Sequence, residues 1–127
     1  MEASVIYYVG AKVAEASSIK LCVCTETQQI KFHSTIIYSR RWFPYKPAQF
    51  FPLILEPPFS WDTFDGITVL RFNNQRLFER HIELRNAGAS WDYPTFQAHI
   101  SFGKIPTSAV PNFPIVLEHE YYSTWHE

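Results

Sequence analysis

The sequence has no excess of either charge. Eleven Lys and Arg stand against 12 Asp and Glu, for a net charge of −1 and an isoelectric point near 6.5. A broad basic field that neutralises many phosphates is therefore missing, which argues against long RNA or DNA as a partner and favours a small anionic ligand. No run of about eighteen apolar residues is present, so no membrane span is expected. The N-terminus lacks a charged segment leading into an apolar stretch, so no secretory signal is expected either. The expectation is a soluble, intracellular protein. Cysteine is limited to Cys22 and Cys24, a C-x-C pair too close for an ordinary disulfide and without further cysteines to complete a zinc site. Both are read as reduced packing residues. No Walker-type loop, G-x-G-x-x-G or H-E-x-x-H occurs, which leaves ATP hydrolysis, dinucleotide redox chemistry and zinc hydrolysis without a foothold. Neither a metal nor a cofactor is expected.

What the chain does have is 46% hydrophobic residues, 17% aromatics and nine prolines in 127 residues. That suffices for one core, so residues 1–127 are expected to form one strand-rich domain.

Val5, Ile6, Tyr7, Tyr8 and Val9 mark a first strand over Ser4–Val13. Residues Ala14–Gln29 favour a helix with Ile19, Val23 and Ile30 on one face. Phe32–Tyr38 alternates, sending His33, Thr35 and Ile37 to one side and Phe32, Ser34, Ile36 and Tyr38 to the other. A loop is expected over Arg40–Phe51. Strands follow near Leu53–Phe59 and Ile67–Phe72, and the connection Trp61–Gly66 between them ends in an Asp-Gly pair suited to a hairpin turn. Asn73 or Asn74 can cap a helix with Leu77, His81 and Leu84 on one face and Gly88 as its stop. Phe96–Gly103 alternates again, placing His99 and Ser101 together. A proline-bounded loop, a last strand over Ile115–Tyr122 and a tail Ser123–Glu127 complete the chain. The order divides into two halves, each with a His-x-Thr/Ser strand following a helix.

A histidine followed two places later by a hydroxyl residue is common by chance. Two copies, each on an alternating strand after a helix, form a pattern worth chemistry. Breaking a phosphodiester without a metal needs a base, an acid and donors for the nonbridging oxygens. Histidine titrates near pH 6.5, so two imidazoles can share the proton transfers, while Thr35 and Ser101 aim hydroxyls at the phosphate. His81 lacks the motif and sits on an apolar helix face, which marks it as a packed residue.

The stretches Phe32-His33-Ser34-Thr35-Ile36-Ile37-Tyr38-Ser39-Arg40 and Gln97-Ala98-His99-Ile100-Ser101-Phe102 resemble the paired motifs of the two-histidine phosphoesterase superfamily. With Arg80-His81 and Gly88-Ala89-Ser90-Trp91-Asp92-Tyr93-Pro94, the chain from about Tyr7 to Phe102 is more narrowly similar to the phage anti-CBASS cyclic-nucleotide phosphodiesterases. The resemblance implies an α+β fold of two pseudo-symmetric antiparallel sheets, bilobal, with helices outside and a central cleft. It also implies His33, Thr35, His99 and Ser101 as catalytic residues cleaving 3′–5′ bonds of cyclic di- and trinucleotides in the cytoplasm of a phage-infected bacterium, to evade CBASS immunity. Attack by a ribose 2′-hydroxyl would leave a 2′,3′-cyclic phosphate. The resemblance leaves the acid and base roles open, with His33 the first choice as acid. Ser101 stands where threonine is frequent; it keeps the hydroxyl and loses the methyl that fixes the rotamer.

Tyr7, Tyr8, Trp61 and Trp125 are the candidates for stacking on bases, Glu120 for a base edge, and Arg40, with Arg41 and Lys46, for a second phosphate. Competing expectations are an RNA 2′,3′-cyclic phosphodiesterase of the same superfamily, a non-catalytic cyclic-nucleotide sponge, and an assembly protein whose histidines merely pack.

Overall fold

The computed structural model describes residues 4–27, 31–103 and 109–127. The elements run β1 (Val5–Val13), α1 (Glu15–Thr25), β2 (His33–Ser39), β3 (Leu53–Leu55), β4 (Ser60–Phe64), β5 (Ile67–Arg71), α2 (Gln75–Asn86), β6 (His99–Ser101) and β7 (Ile115–His126). Among the described residues the strands form one seven-stranded sheet in the order β3-β7-β1-β2-β6-β5-β4, antiparallel at every pairing. Two separate sheets were expected. The two motif strands, β2 and β6, instead pair edge to edge through Ser34 and Ile100 and join the halves into one surface. The Ser34 hydroxyl reinforces the seam by donating to the His99 carbonyl at 2.8 Å.

Strand periodicity sends alternate side chains to opposite faces. Val9, Ala11, Ile36, Leu70 and Ile100 pack with Leu21 of α1 and with Leu77 and Leu84 of α2 in one core. The other face is left to Tyr8, Gly10, His33, Thr35 and His99.

The α2 reading holds: the Asn74 side chain accepts from the Leu77 backbone N–H at 3.1 Å, as an N-cap should. His81 is 2% exposed, its ring stacks on Phe96 at 4.3 Å, and its Nδ1 lies 2.8 Å from the Ile36 carbonyl. The α1 reading needs correction. Its buried side is Ser17, Ser18, Leu21 and Thr25, while Ile19 and Val23 face solvent. Small side chains let the helix lie close to the sheet, and the Ser17 hydroxyl accepts from the Val116 N–H at 2.9 Å to fix it there. The helix ends at Thr25, capped by Glu26 at φ 55°, short of the expected Gln29. Residues 28–30, Ile30 among them, and residues 104–108 of the expected loop after Gly103 lie outside the described residues.

Three more boundaries move. Only Leu53–Leu55 of the expected Leu53–Phe59 strand is formed. Most of Trp61–Gly66 is strand rather than connection: β4 and β5 make a tight hairpin whose turn is Asp65 and Gly66, with φ of 50° and 77°. This is the positive-φ pair that Asp-Gly supplies. The tail is strand as well, since β7 pairs with β1 from Leu117 to His126.

Candidate functional site

The register between β1 and β2 steps from Val9–Ile37 to Gly10–Thr35, leaving Ile36 as an extra residue. Such a bulge breaks period-two alternation. Ile36 and Ile37 are both buried as a result. Tyr38, expected opposite Thr35, is thereby turned to the same side, and both line a cavity of about 480 Å³. That size falls in the range of small-ligand pockets. His99, Arg71, Asp62, Phe64, Trp91, Tyr93 and Arg40 also line it.

The antiparallel pairing of Ser34 with Ile100 gives the two motifs opposite polarity. Thr35 is therefore directed toward His99, and His33 toward Ser101. Each histidine thus has a hydroxyl from the other motif across the seam as well as one on its own strand. His33 keeps an edge in solvent, yet enough protein surrounds its imidazole that burial lowers its pKa below 6.5, and the nearby His99 adds to this. The neutral form is favoured. His99 is held differently: its Nδ1 lies 2.8 Å from the Gln97 carbonyl. A carbonyl can only accept, so Nδ1 carries hydrogen and Nε2 is left to face a ligand. Ser101, two residues along, is exposed on the same strand face.

Tyr8 closes the β1 side. Its hydroxyl is 3.0 Å from Thr35 Oγ1, and its ring meets His33 edge-on at 6.1 Å and Trp125 at 5.4 Å. Trp125 also reaches Tyr38 at 5.9 Å and remains 40% exposed. Arg40 lies over the Tyr38 ring and binds Asp92 (Nη2–Oδ2 3.0 Å) and Glu127 (Nη1–Oε2 2.6 Å). The backbone beneath is sewn together: Arg40 N–H donates to Ser90 Oγ at 2.7 Å and Ser90 N–H to Ser39 Oγ at 2.9 Å. This interlocks the Tyr-Ser-Arg and Ser-Trp-Asp stretches that are 50 residues apart in sequence.

The structure therefore gathers His33, Thr35, His99, Ser101, Tyr8, Trp125 and Arg40 on one face. It separates Tyr7, Trp61 and Glu120 from them. Tyr7 packs against the core, and Trp61 sits edge-on to the buried Phe102 at 5.1 Å. Glu120 has a side chain only 2% exposed and is bound by Arg80 at 2.7 and 2.9 Å, with the Tyr45 hydroxyl donating at 2.7 Å. With its oxygens so occupied on the helix side of the sheet, it is a structural counter-ion rather than a base contact.

Several lining residues were not singled out from sequence. Arg71 pairs directly opposite His99 across the β5–β6 register and binds Asp62 at 2.8 Å, which, after the Thr63 N–H, helps hold the Asp62 pKa low. Phe64 lies 5.7 Å from the His99 ring and 5.1 Å from Tyr93. Extending the alternation of Ile67–Phe72 to ask which residues flank the second motif would have reached Arg71. Among the described residues no group of three His, Cys, Asp or Glu side chains is disposed to hold a metal ion, and no helix is long and apolar enough to cross a membrane.

A small α+β protein with two His-x-Thr/Ser strands side by side above a two-helix layer is the class that the fold and site define. The chain belongs to the family described as Anti-CBASS protein Acb1, whose family model matches residues 6–127. The Anti-CBASS protein Acb1 of Vibrio phage KVP40 is 31% identical over 126 residues, covering 90% of this chain and 83% of that protein. That of Enterobacteria phage T4 is 33% identical over 128 residues, covering 90% of this chain and 84% of its own. The Salmonella phage S16 protein of the same description is 31% identical over 128 residues, with 90% and 84% covered.

Proposed function

We propose that the chain is a metal-independent phosphodiesterase of the two-histidine superfamily that opens 3′–5′ bonds of cyclic di- and trinucleotides and so acts against CBASS in the cytoplasm of a phage-infected bacterium. The observation that carries this reading is the antiparallel juxtaposition of the two motifs beside an aromatic-lined cavity. The anti-CBASS description of its relatives supports the biological setting.

His33, whose neutral form is favoured, takes the proton from a ribose 2′-hydroxyl as that oxygen attacks the adjacent phosphorus. His99, with Nδ1–H held on Gln97, donates a proton from Nε2 to the departing 5′-oxygen as the P–O5′ bond breaks. The product is a linear nucleotide ending in a 2′,3′-cyclic phosphate. Thr35 and Ser101 hydroxyls support the nonbridging oxygens. Trp125, 40% exposed, offers its ring to a base, whereas the Tyr8 ring is too enclosed for the stacking expected of it. This reverses the first-choice roles that the sequence suggested, on the ground that crowding favours the unprotonated His33.

The test is turnover in EDTA across cyclic dinucleotides, cyclic trinucleotides and 2′,3′-cyclic-ended RNA, read by mass spectrometry. Chelator-resistant opening of the cyclic oligonucleotides, lost in His33→Ala and His99→Ala, is expected. Intact rings beside hydrolysed RNA ends would replace this reading with the RNA-end enzyme, and unaltered bound ligand would replace it with a sponge.

A further inference from the structure

We propose that Tyr8 is a positioning residue that fixes the Thr35 hydroxyl for the phosphate, and that Gly10 is its obligatory spacer; the role at a phosphate rests on the phosphodiesterase reading above.

The geometry begins with register. Gly10 lies opposite Thr35 across the β1–β2 pair, and Tyr8 lies opposite Tyr38, one step along the same face. Tyr8 must therefore reach diagonally across the Cα of Gly10 to meet Thr35. It does so, with its hydroxyl 3.0 Å from Thr35 Oγ1. A Cβ built on Gly10 would stand 2.6 Å from the Tyr8 hydroxyl oxygen and 2.7 Å from Cε1, distances no Cβ tolerates. The space an aromatic ring takes over a strand glycine is the one the missing side chain leaves. The ring is held from its other sides by Tyr121 at 5.7 Å and Trp125 at 5.4 Å, and is 7% exposed.

A threonine hydroxyl is a rotor with one hydrogen and two lone pairs. Either hydroxyl can be the donor in this contact, and Tyr121 offers the Tyr8 hydrogen a second acceptor. The positioning role needs the arrangement in which Tyr8 donates to Oγ1, which frees the Thr35 hydrogen to point into the cavity it shares with His99. Burial pushes the Tyr8 phenol well above its ordinary pKa, so it keeps its hydrogen across the working pH range. A hydroxyl that is itself accepting a hydrogen bond is a better donor. Tyr8 thus never needs to touch the phosphate to strengthen what Thr35 offers it.

The test is a double-mutant cycle in Tyr8→Phe and Thr35→Ala, followed in two readouts. The first is kcat on the cyclic oligonucleotide that wild type turns over fastest. Tyr8→Phe is expected to lower kcat about tenfold with KM unchanged, and Thr35→Ala about a hundredfold. The double variant should lose no more than Thr35→Ala alone, and Thr35→Ser should keep the sensitivity to Tyr8→Phe. A double loss near a thousandfold, the product of the two singles, overturns the positioning role. The second readout is binding of an adenosine–orthovanadate complex, a pentacoordinate mimic that needs no turnover. The same overlap is expected there. If no cyclic oligonucleotide is opened but the vanadate coupling is present, the substrate reading falls and the positioning role stands; multiplicative losses in both, or no vanadate binding by wild type together with no turnover, remove it. Gly10→Ala should reproduce the Tyr8→Phe loss while the protein still melts cooperatively, and full activity in Gly10→Ala would refute the spacer role.

Discussion

The two motif strands carry the same His-x-Thr/Ser pattern in unlike surroundings. β2 is seven residues long, paired along its length to β1, with His33 crowded by the Tyr8 and Tyr121 rings at 6.1 and 6.5 Å. β6 is three residues long, and His99 is steered by a neighbouring carbonyl, a Phe64 ring and the facing Arg71. Crowding disfavours the charged imidazole, whereas a carbonyl partner on Nδ1 suits a ring that donates from Nε2. Under the proposed phosphodiesterase reading, what packs around these two like motifs assigns one as base and the other as acid.

The largest effect that tests this division comes from removing each imidazole. His33→Ala and His99→Ala are each expected to lower kcat by roughly 10²–10⁴-fold. A substrate with sulfur in place of the bridging 5′-oxygen separates them, because a thiolate departs without protonation. It should restore much of the rate to His99→Ala and little to His33→Ala. Rescue of His33→Ala alone would exchange the two roles.

A second contrast sets the two faces of the sheet against each other. Glu120→Gln removes the buried carboxylate from Arg80 and leaves it the exposed Glu83 and the Lys46 carbonyl, so the loss is expected to be a part of the about 3–5 kcal/mol that breaking a buried pair costs. Denaturant unfolding should show that loss, with KM for the cyclic substrate unaltered below the transition. A selective change in KM for one base at full stability would return Glu120 to the ligand. On the open face, Trp125→Ala should raise KM by the equivalent of about 1–3 kcal/mol, the worth of one stacked base, while Trp61→Ala lowers stability and spares KM. Equal KM effects from both would erase the distinction between the faces.

The parts of this arrangement that were legible in the sequence are the local ones. Period-two alternation put His33 with Thr35 and His99 with Ser101, and Asn74 and Gly88 bracketed α2, because each rule needs only a few consecutive residues. What was not legible depended on distant partners. The bulge at Ile36 exists only in register with β1, so Tyr38 was assigned to the wrong side. Glu120 reads as a candidate for a base edge because its partner Arg80 is 40 residues away. Ile19 and Val23 suggested an apolar face for α1, but contact with the sheet selected serines instead. Gly10 was a signal within reach: a lone glycine inside a strand pattern marks a bulge or a close approach, and here it marks both.

The smallest expected effect contrasts the solvent-reached His33 with His81, buried behind the same strand. Both have pKa values lowered mainly by burial, from an ordinary 6.5. With His33 as the proposed base, the acidic limb of kcat/KM should fall below pH 6.5, since its imidazole stays neutral until then. For His81 the consequence is one of stability. Between pH 6.5 and its lower folded value, the unfolded chain binds a proton that the folded ring resists, so stability drops as pH falls through that window and is level above it. The slope from one such group cannot exceed about 1.4 kcal/mol per pH unit. His81→Asn, which can still donate to the Ile36 carbonyl, should remove the His81 share of the slope in unfolding free energy between pH 7.5 and 5.5, leaving the His33 share and the kcat/KM limb in place. A stability slope that persists in full in His81→Asn and disappears in His33→Ala would mean that the open face, not the packed one, resists protonation most.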